Sequence, residues 1–89
     1  MRFLLSNERA YVGASRLFEA LEKLGVNTTL FALPIPYILS SEELSYWLDC
    51  LDNEIRSLRN PNLQYYDYVK QVCRALRKWA DAGHIIHIM

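Results

Sequence analysis

The sequence predicts a small α/β fold of the α+β-like kind, in which a long antiparallel helical hairpin packs on a mixed three-stranded sheet. The first supporting observation is that apolar residues recur at helical spacing across residues 40–83, half of the 89-residue chain. The second is that short β-prone runs occur outside this segment, at residues 2–5, 27–33 and 84–89. The expected order of elements is therefore β-α-β-α-α-β, in a single compact domain covering residues 1–89.

The first strand and the first helix are predicted from the N-terminal part of the chain. Residues 2–5 form an apolar run that ends at a Ser-Asn pair, which favours turns and helix caps. Small and apolar residues then recur at helical spacing and predict a helix over residues 8–24, with Gly25 as a left-handed C-terminal cap. An alternative interpretation keeps residues 9–13 extended, as a hairpin partner of the first strand.

The second strand is predicted at residues 27–33, which carry threonine, leucine and phenylalanine. Because a single helix leads to this run, we expect a strand parallel to the first, joined to it by a right-handed crossover. The segment that follows, residues 33–39, contains Pro34 and Pro36 at alternate positions. Proline removes a ladder donor, so this segment is excluded as a central strand and is predicted to be an apolar loop.

The first helix of the hairpin has sequence signals at both ends. Ser40 and Glu43 have the spacing of a capping box, in which each side chain bonds the backbone amide of the other residue. The helix is expected to end near Arg59. Pro61 is disfavoured inside a helix but suits the first position of the next one, with Asn60 as its cap.

The second helix of the hairpin and a last strand complete the predicted fold. The helix runs to about residue 82, where Gly83 ends it. Residues 84–89 are apolar and β-branched, and they predict a third strand that runs antiparallel to the first two, because each element reverses the chain direction. The side chains expected to be buried between the two helices are Trp47, Leu51, Val72, Leu76 and Trp79.

The composition excludes several classes of function. Ten basic and ten acidic residues cancel, so net charge attracts the protein neither to nucleic acid nor to an anionic membrane. Two cysteines are too few for a disulfide framework, and we find no signal-peptide pattern. The longest apolar run, residues 30–39, is interrupted by two prolines and is too short to span a bilayer. We therefore expect a reduced, cytoplasmic protein with no membrane segment.

The residues that most often carry catalysis or bind metals are few and poorly spaced. Cys50 and Cys73 fall at similar heights in the hairpin, but their spacing matches no zinc-binding signature. His84 and His87, three apart on a strand, are expected to point to opposite faces. The three glycines are dispersed and form no phosphate-binding loop. We interpret the cysteines as packing residues and expect no catalytic residue, cofactor or metal; a small enzyme or metal protein is the third hypothesis.

Candidate partner-binding residues come from an apolar loop, from the turn that follows the first strand, from an acidic helix face and from one tyrosine. Residues 33–39 are more apolar than expected for a connecting loop without a binding role. A tyrosine in this loop can bury its ring in a pocket of a partner while its hydroxyl reaches the polar rim of that pocket. The acidic face of the first hairpin helix and the tyrosine that lies outside the stripe of the second are further candidates. The full set is Ile35, Tyr37, Ile38, Asn7, Glu8, Arg9, Tyr66, Glu42, Asp49 and Asp52.

A basic ridge on the second hairpin helix supports a different function. Lys70, Arg74 and Arg77 are expected to lie close together on the side away from the apolar stripe, where cations can contact phosphates. The alternative hypothesis is therefore a nucleic-acid-binding module.

The preferred interpretation is a non-enzymatic protein-binding module of the inhibitor, antitoxin, immunity or adaptor kind. This interpretation follows from the lack of a recognisable set of catalytic residues in a chain that is expected to form little besides one core. Another protein is the expected partner, a second copy of this chain is the alternative, and nucleic acid is less favoured.

Overall fold

The structure is a computed structural model that describes residues 2–5 and 11–89. Helices pack on one antiparallel sheet, which confirms the predicted class. The described elements are β1 (Arg2–Leu5), β2 (Tyr11–Gly13), α1 (Ala14–Leu24), a 3-10 turn (Thr28–Phe31), β3 (Tyr37–Leu39), α2 (Ser41–Arg56), α3 (Leu63–Asp81) and β4 (Ile86–Ile88).

The described residues form a sheet of four strands in the order β2-β1-β4-β3, and every neighbouring pair is antiparallel. The prediction of a mixed three-stranded sheet is therefore wrong in strand number and direction. The last strand was correctly predicted to run antiparallel to the first, and it lies between β1 and β3. Phe3 and Ile88 are paired, and both are fully buried on the face that the helices cover. The opposite face carries Ile38 beside His87.

The N-terminal part of the predicted first helix is a strand. Tyr11–Gly13 pairs with β1, and the helix begins only at Ala14, so the alternative hairpin interpretation is the correct one for these residues. Gly13 caps the helix with extended backbone angles and thereby ends the strand. Helical spacing of small residues was compatible with either structure, and pairing with β1 decided between them. The predicted start of this helix lies outside the described residues.

The predicted second strand is also wrong. Thr28–Phe31 forms a 3-10 turn, because the Asn27 side chain accepts hydrogen bonds from the Thr29 amide at 3.2 Å and from the Thr29 hydroxyl at 2.6 Å. The strand in this part of the chain is β3, which lies within the segment predicted to be a loop. It lies at the edge of the sheet, where a preceding proline is tolerated.

The capping box at the start of α2 is confirmed. The Ser40 hydroxyl accepts from the Glu43 amide at 3.1 Å, and a Glu43 carboxylate oxygen accepts from the Ser40 amide at 3.4 Å. The break after α2 is longer than predicted. Asn62, rather than Asn60, caps α3, because its side chain accepts from the Gln64 amide at 3.0 Å.

The helix α3 packs against both α1 and α2, so the helices form a three-membered layer rather than a two-helix hairpin. The predicted antiparallel contact of α2 with α3 is present: Ser45, early in α2, binds Arg77, late in α3. Leu51 and Leu76 are fully buried as predicted. Val72 and Trp79 are only partly buried, and the buried face of α3 is rotated toward Val69, Cys73, Leu76 and Ala80.

The buried side chains of the described residues are all apolar. They form one core cluster between the sheet and the helix layer. Polar chemistry in the described part of the chain is therefore confined to its surface. Among the described helices, none combines the length and the apolar character that crossing a bilayer requires.

Candidate partner-binding groove

An open groove of about 510 Å³ lies between α2, β3 and the segment around the 3-10 turn. Trp47 and Phe31 form its floor, and both are buried. The Trp47 indole N–H donates to the Phe31 carbonyl at 3.1 Å, and the two rings meet edge to face with centroids 5.9 Å apart. This bond and this ring contact fix the 3-10 turn against α2. The floor of the groove is therefore apolar and rigidly held.

Large apolar side chains are exposed on the rim of this groove. Leu30 of the 3-10 turn is 64% exposed, and Tyr46 of α2 is 72% exposed. Neither residue was among the sequence candidates. Leu30 was placed within a predicted strand, although Tyr46 carried a readable signal, since it is an aromatic residue on the polar face of an amphipathic helix.

Tyr37 lines the groove and connects β3 to the start of α2. Its hydroxyl donates to Glu43 Oε2 at 2.9 Å, while the other carboxylate oxygen of Glu43 belongs to the capping box with Ser40. This hydrogen bond raises the pKa of Tyr37 and, together with the Ser40 amide, lowers the pKa of Glu43. Glu43 is therefore ionised at neutral pH, and Tyr37 forms part of the groove wall.

The other candidates from the proline-containing segment are exposed but are not among the residues that line the groove. Ile35 is 58% exposed and precedes β3. Ile38 is 60% exposed and lies on the sheet face opposite the helices. Tyr66 is partly buried on α3. The candidates Asn7, Glu8 and Arg9 lie outside the described residues.

The predicted acidic face is divided between two sites. Glu42 lines the groove and is exposed. Asp49 and Asp52 lie at the contact of α2 with α3, where they bind the Arg77 guanidinium at 2.9 and 3.4 Å. Arg77 also donates to the hydroxyl and the carbonyl of Ser45. These bonds stabilise the packing of the two helices, and they occupy both aspartates.

The predicted basic ridge lies beside this ion-pair network. Lys70, Arg74 and Arg77 line one concavity of about 410 Å³, so their predicted proximity is confirmed. Their predicted position on the side away from the apolar stripe is wrong for Arg77, which is partly buried against α2. Arg77 forms ion pairs with two aspartates of α2. Lys70 and Arg74 form no ion pair with a described residue.

The two cysteines are free thiols in different surroundings. Cys50 lines the groove beside Tyr46, whose pKa is raised by a hydrogen bond with this thiol. Cys73 is buried, and burial, followed by the charge of Asp52, raises the pKa of its thiol to about 11. Cys73 therefore stays protonated at neutral pH, as expected of a packing residue. No group of three or more metal-binding side chains occurs within residues 2–5 and 11–89.

No family model matches the chain, and the searches of curated proteins and of solved structures found no significant similarity.

Proposed function

We propose that this protein is a small non-enzymatic module that binds a partner protein through the groove between α2, β3 and the 3-10 turn. Its action is to occupy the partner's surface, as inhibitors, antitoxins, immunity proteins and adaptors do. The observation that carries the proposal is the exposure of Leu30 and Tyr46 on the rim of an apolar groove. Contiguous exposed apolar surface often marks an interaction site, and tyrosine is enriched among interface anchors.

Charge at the groove favours one kind of partner segment. Glu42 and Glu43 both line the groove, and Glu43 is kept ionised by its hydrogen bonds to Tyr37 and Ser40. A complementary segment carries an apolar side chain for the floor and an adjacent lysine or arginine for the acidic rim. The proposed occupant is therefore an apolar, basic segment of another protein.

The groove needs little rearrangement to accept such a segment. The Trp47 to Phe31 bond holds the floor, and the Tyr37 to Glu43 bond holds the wall. Preformed surfaces bind with a smaller loss of conformational entropy than surfaces that must first become ordered. Both cysteines are free thiols, which fits the cytoplasmic location that we include in the proposal.

A bait experiment with matched variants tests this function. Tyr46→Ala removes the exposed rim tyrosine, and Leu63→Ala removes a side chain with the same 72% exposure on α3, outside the residues that line the groove. A partner purified with the wild-type protein should bind Leu63→Ala equally well and Tyr46→Ala at least about tenfold more weakly, as for the removal of an interface anchor.

Two results would contradict the proposal. One is a partner that binds Tyr46→Ala as tightly as the wild-type protein in calorimetric titration. The other is self-association of the pure protein, seen by light scattering and abolished by Tyr46→Ala. That outcome would identify a second copy of the chain as the occupant of the groove.

A further inference from the structure

A second surface, on α3, carries a regular series of basic residues that are not part of the proposed partner groove. Four residues at intervals of four along α3 are neighbours on its surface and form one inclined row, here called the column: Tyr66, Lys70, Arg74 and Lys78. The rise of an α-helix places neighbouring members about 6 Å apart along its axis. Arg74 and Lys78 are exposed, while Tyr66 and Lys70 are partly exposed.

Within residues 2–5 and 11–89, no carboxylate is paired with the three cations of this column. The side chains of Lys70, Arg74 and Lys78 form no ion pair or hydrogen bond with any described residue. They line the concavity that Asp52 also lines, but the Asp52 carboxylate binds Arg77. The carboxylate that lines this concavity is thus already bound to Arg77, and the charge of the three cations is available to an anionic ligand.

The remaining acidic groups on this helix lie toward its two ends. Asp67 is exposed three residues before Lys70, and Asp81 is exposed three residues after Lys78. Neither forms an ion pair with a described residue. The middle of the column, around Arg74, is therefore its most positive part.

Tyr66 adds an aromatic surface at one end of the column. It packs against the core while remaining partly exposed, so its ring is held in place on the surface. A row of cations next to a partly exposed aromatic ring is a combination that binds single-stranded nucleic acid. The cations contact the backbone phosphates, and the ring stacks on a base.

We propose that Tyr66, Lys70, Arg74 and Lys78 bind single-stranded DNA or RNA. The three cations contact phosphates along the strand, and Tyr66 stacks on one unpaired base. A duplex fits this surface less well, because its bases are already stacked within the helix and present no free face to the tyrosine. The site is separate from the groove between α2, β3 and the 3-10 turn, and it does not depend on the function proposed for that groove.

The salt dependence of binding measures the number of phosphate contacts. Fluorescence anisotropy with labelled oligothymidine and oligouridine should give a slope of log affinity against log salt of about −2, since each single-strand contact contributes about −0.7. Between 50 and 200 mM salt, this slope corresponds to a fall in affinity of roughly 20-fold.

Variants distinguish the column from general charge attraction. Arg74→Gln should make the slope shallower by about 0.7, because one phosphate contact is lost. Lys23→Gln is the matched control, since it removes one exposed cation from α1, and it should leave the slope unchanged. Tyr66→Leu keeps an apolar side chain against the core but removes the ring; it should weaken binding at least about fivefold and leave the slope unchanged.

Four results would overturn the inference. They are absence of binding to both oligonucleotides at 50 mM salt, equal effects of Lys23→Gln and Arg74→Gln, wild-type affinity of Tyr66→Leu, and tighter binding of a duplex than of either single strand. Circular dichroism of each variant confirms that the fold is retained, so that a loss of binding reports on the column.

Discussion

Replacing Trp47 by Phe tests whether the floor of the groove depends on a single buried hydrogen bond. Trp47 is 8% exposed, and its indole N–H donates to the carbonyl of Phe31, which is 3% exposed. Phenylalanine preserves an aromatic ring but has no donor, so the Phe31 carbonyl would lose this partner in a buried position. An unsatisfied buried polar group costs about 1–3 kcal/mol.

The smaller ring adds a packing loss. Trp47 contacts Phe3 and Phe31, with ring centroids 5.7 and 5.9 Å away. The part of the indole that phenylalanine lacks contributes about 1 kcal/mol of apolar burial. The free energy of unfolding should therefore fall by about 2–4 kcal/mol in Trp47→Phe, which is a large part of the stability of a small domain.

Urea unfolding followed by circular dichroism measures this loss, and the chain provides its own control. Trp79 is only partly buried, and its indole N–H makes no hydrogen bond with a described residue. Trp79→Phe should reduce the free energy of unfolding by less than about 1 kcal/mol, since little buried surface is lost. Trp47→Phe should lower the urea midpoint by about 1–3 M.

Equal midpoints for the two variants would refute the reasoning, because the Trp47 hydrogen bond would then contribute nothing. A lower midpoint for Trp79→Phe than for Trp47→Phe would show that the contact of α3 with its neighbours, and not the floor of the groove, limits stability.

Two further predictions concern titration and thiol reactivity. The Tyr37 hydroxyl lowers the pKa of Glu43, so its stabilising effect is complete above the ordinary glutamate pKa of about 4.3 and is lost as the pH falls through the lower folded value. The Tyr37→Phe variant should therefore lose less stability between pH 7 and pH 3 than the wild-type protein does, as measured by thermal unfolding. An identical loss of stability in the two proteins would show that the hydrogen bond is unimportant. Burial of Cys73, whose pKa is raised to about 11, should leave only Cys50 reactive toward a disulfide reagent at pH 8. Two rapidly reacting thiols in the native protein would contradict the buried position of Cys73, whereas both should react in concentrated guanidinium chloride.

Local signals in the sequence predict two of the helix ends correctly. The capping box of Ser40 and Glu43 is formed by residues three apart, so its hydrogen bonds can be inferred without knowledge of the rest of the fold. The left-handed cap at Gly25 is also local, since only its own backbone angle of φ 89° is required. These are the features that the structure confirms in detail.

Strands were harder to predict, because their stability depends on partners that are distant in the sequence. Tyr11–Gly13 forms a strand only because β1 pairs with it. Tyr37–Leu39 forms one at the edge of the sheet because β4 provides a partner there. The prolines of this segment exclude a central strand, but they are compatible with a strand at the edge of the sheet. At Thr28–Phe31 the hydrogen bond from the Thr29 amide to the Asn27 side chain favours a 3-10 turn over the strand that the β propensity of these residues predicts.

The groove could not be predicted from the sequence for a related reason. Leu30 and Tyr46 are 16 residues apart, and the bond between Trp47 and the Phe31 carbonyl brings their segments together. No periodicity within α2 encodes this bond. The exposed position of Tyr46 on the polar helix face was readable, but its neighbour across the groove was not.

The distribution of charge explains how a protein of zero net charge can present two different binding surfaces. Arg77 binds Asp49 and Asp52, so these three charges are used in joining α2 to α3. Among the charges left at the surface, Glu42 and Glu43 lie at the groove, whereas Lys70, Arg74 and Lys78 line the concavity that Asp52 and Arg77 of the ion-pair network also line. Net charge is a sum over the chain and does not record this separation. A net charge of zero therefore excludes neither a basic protein segment at the groove nor a nucleic acid strand on α3. The two proposed sites are formed by different residues.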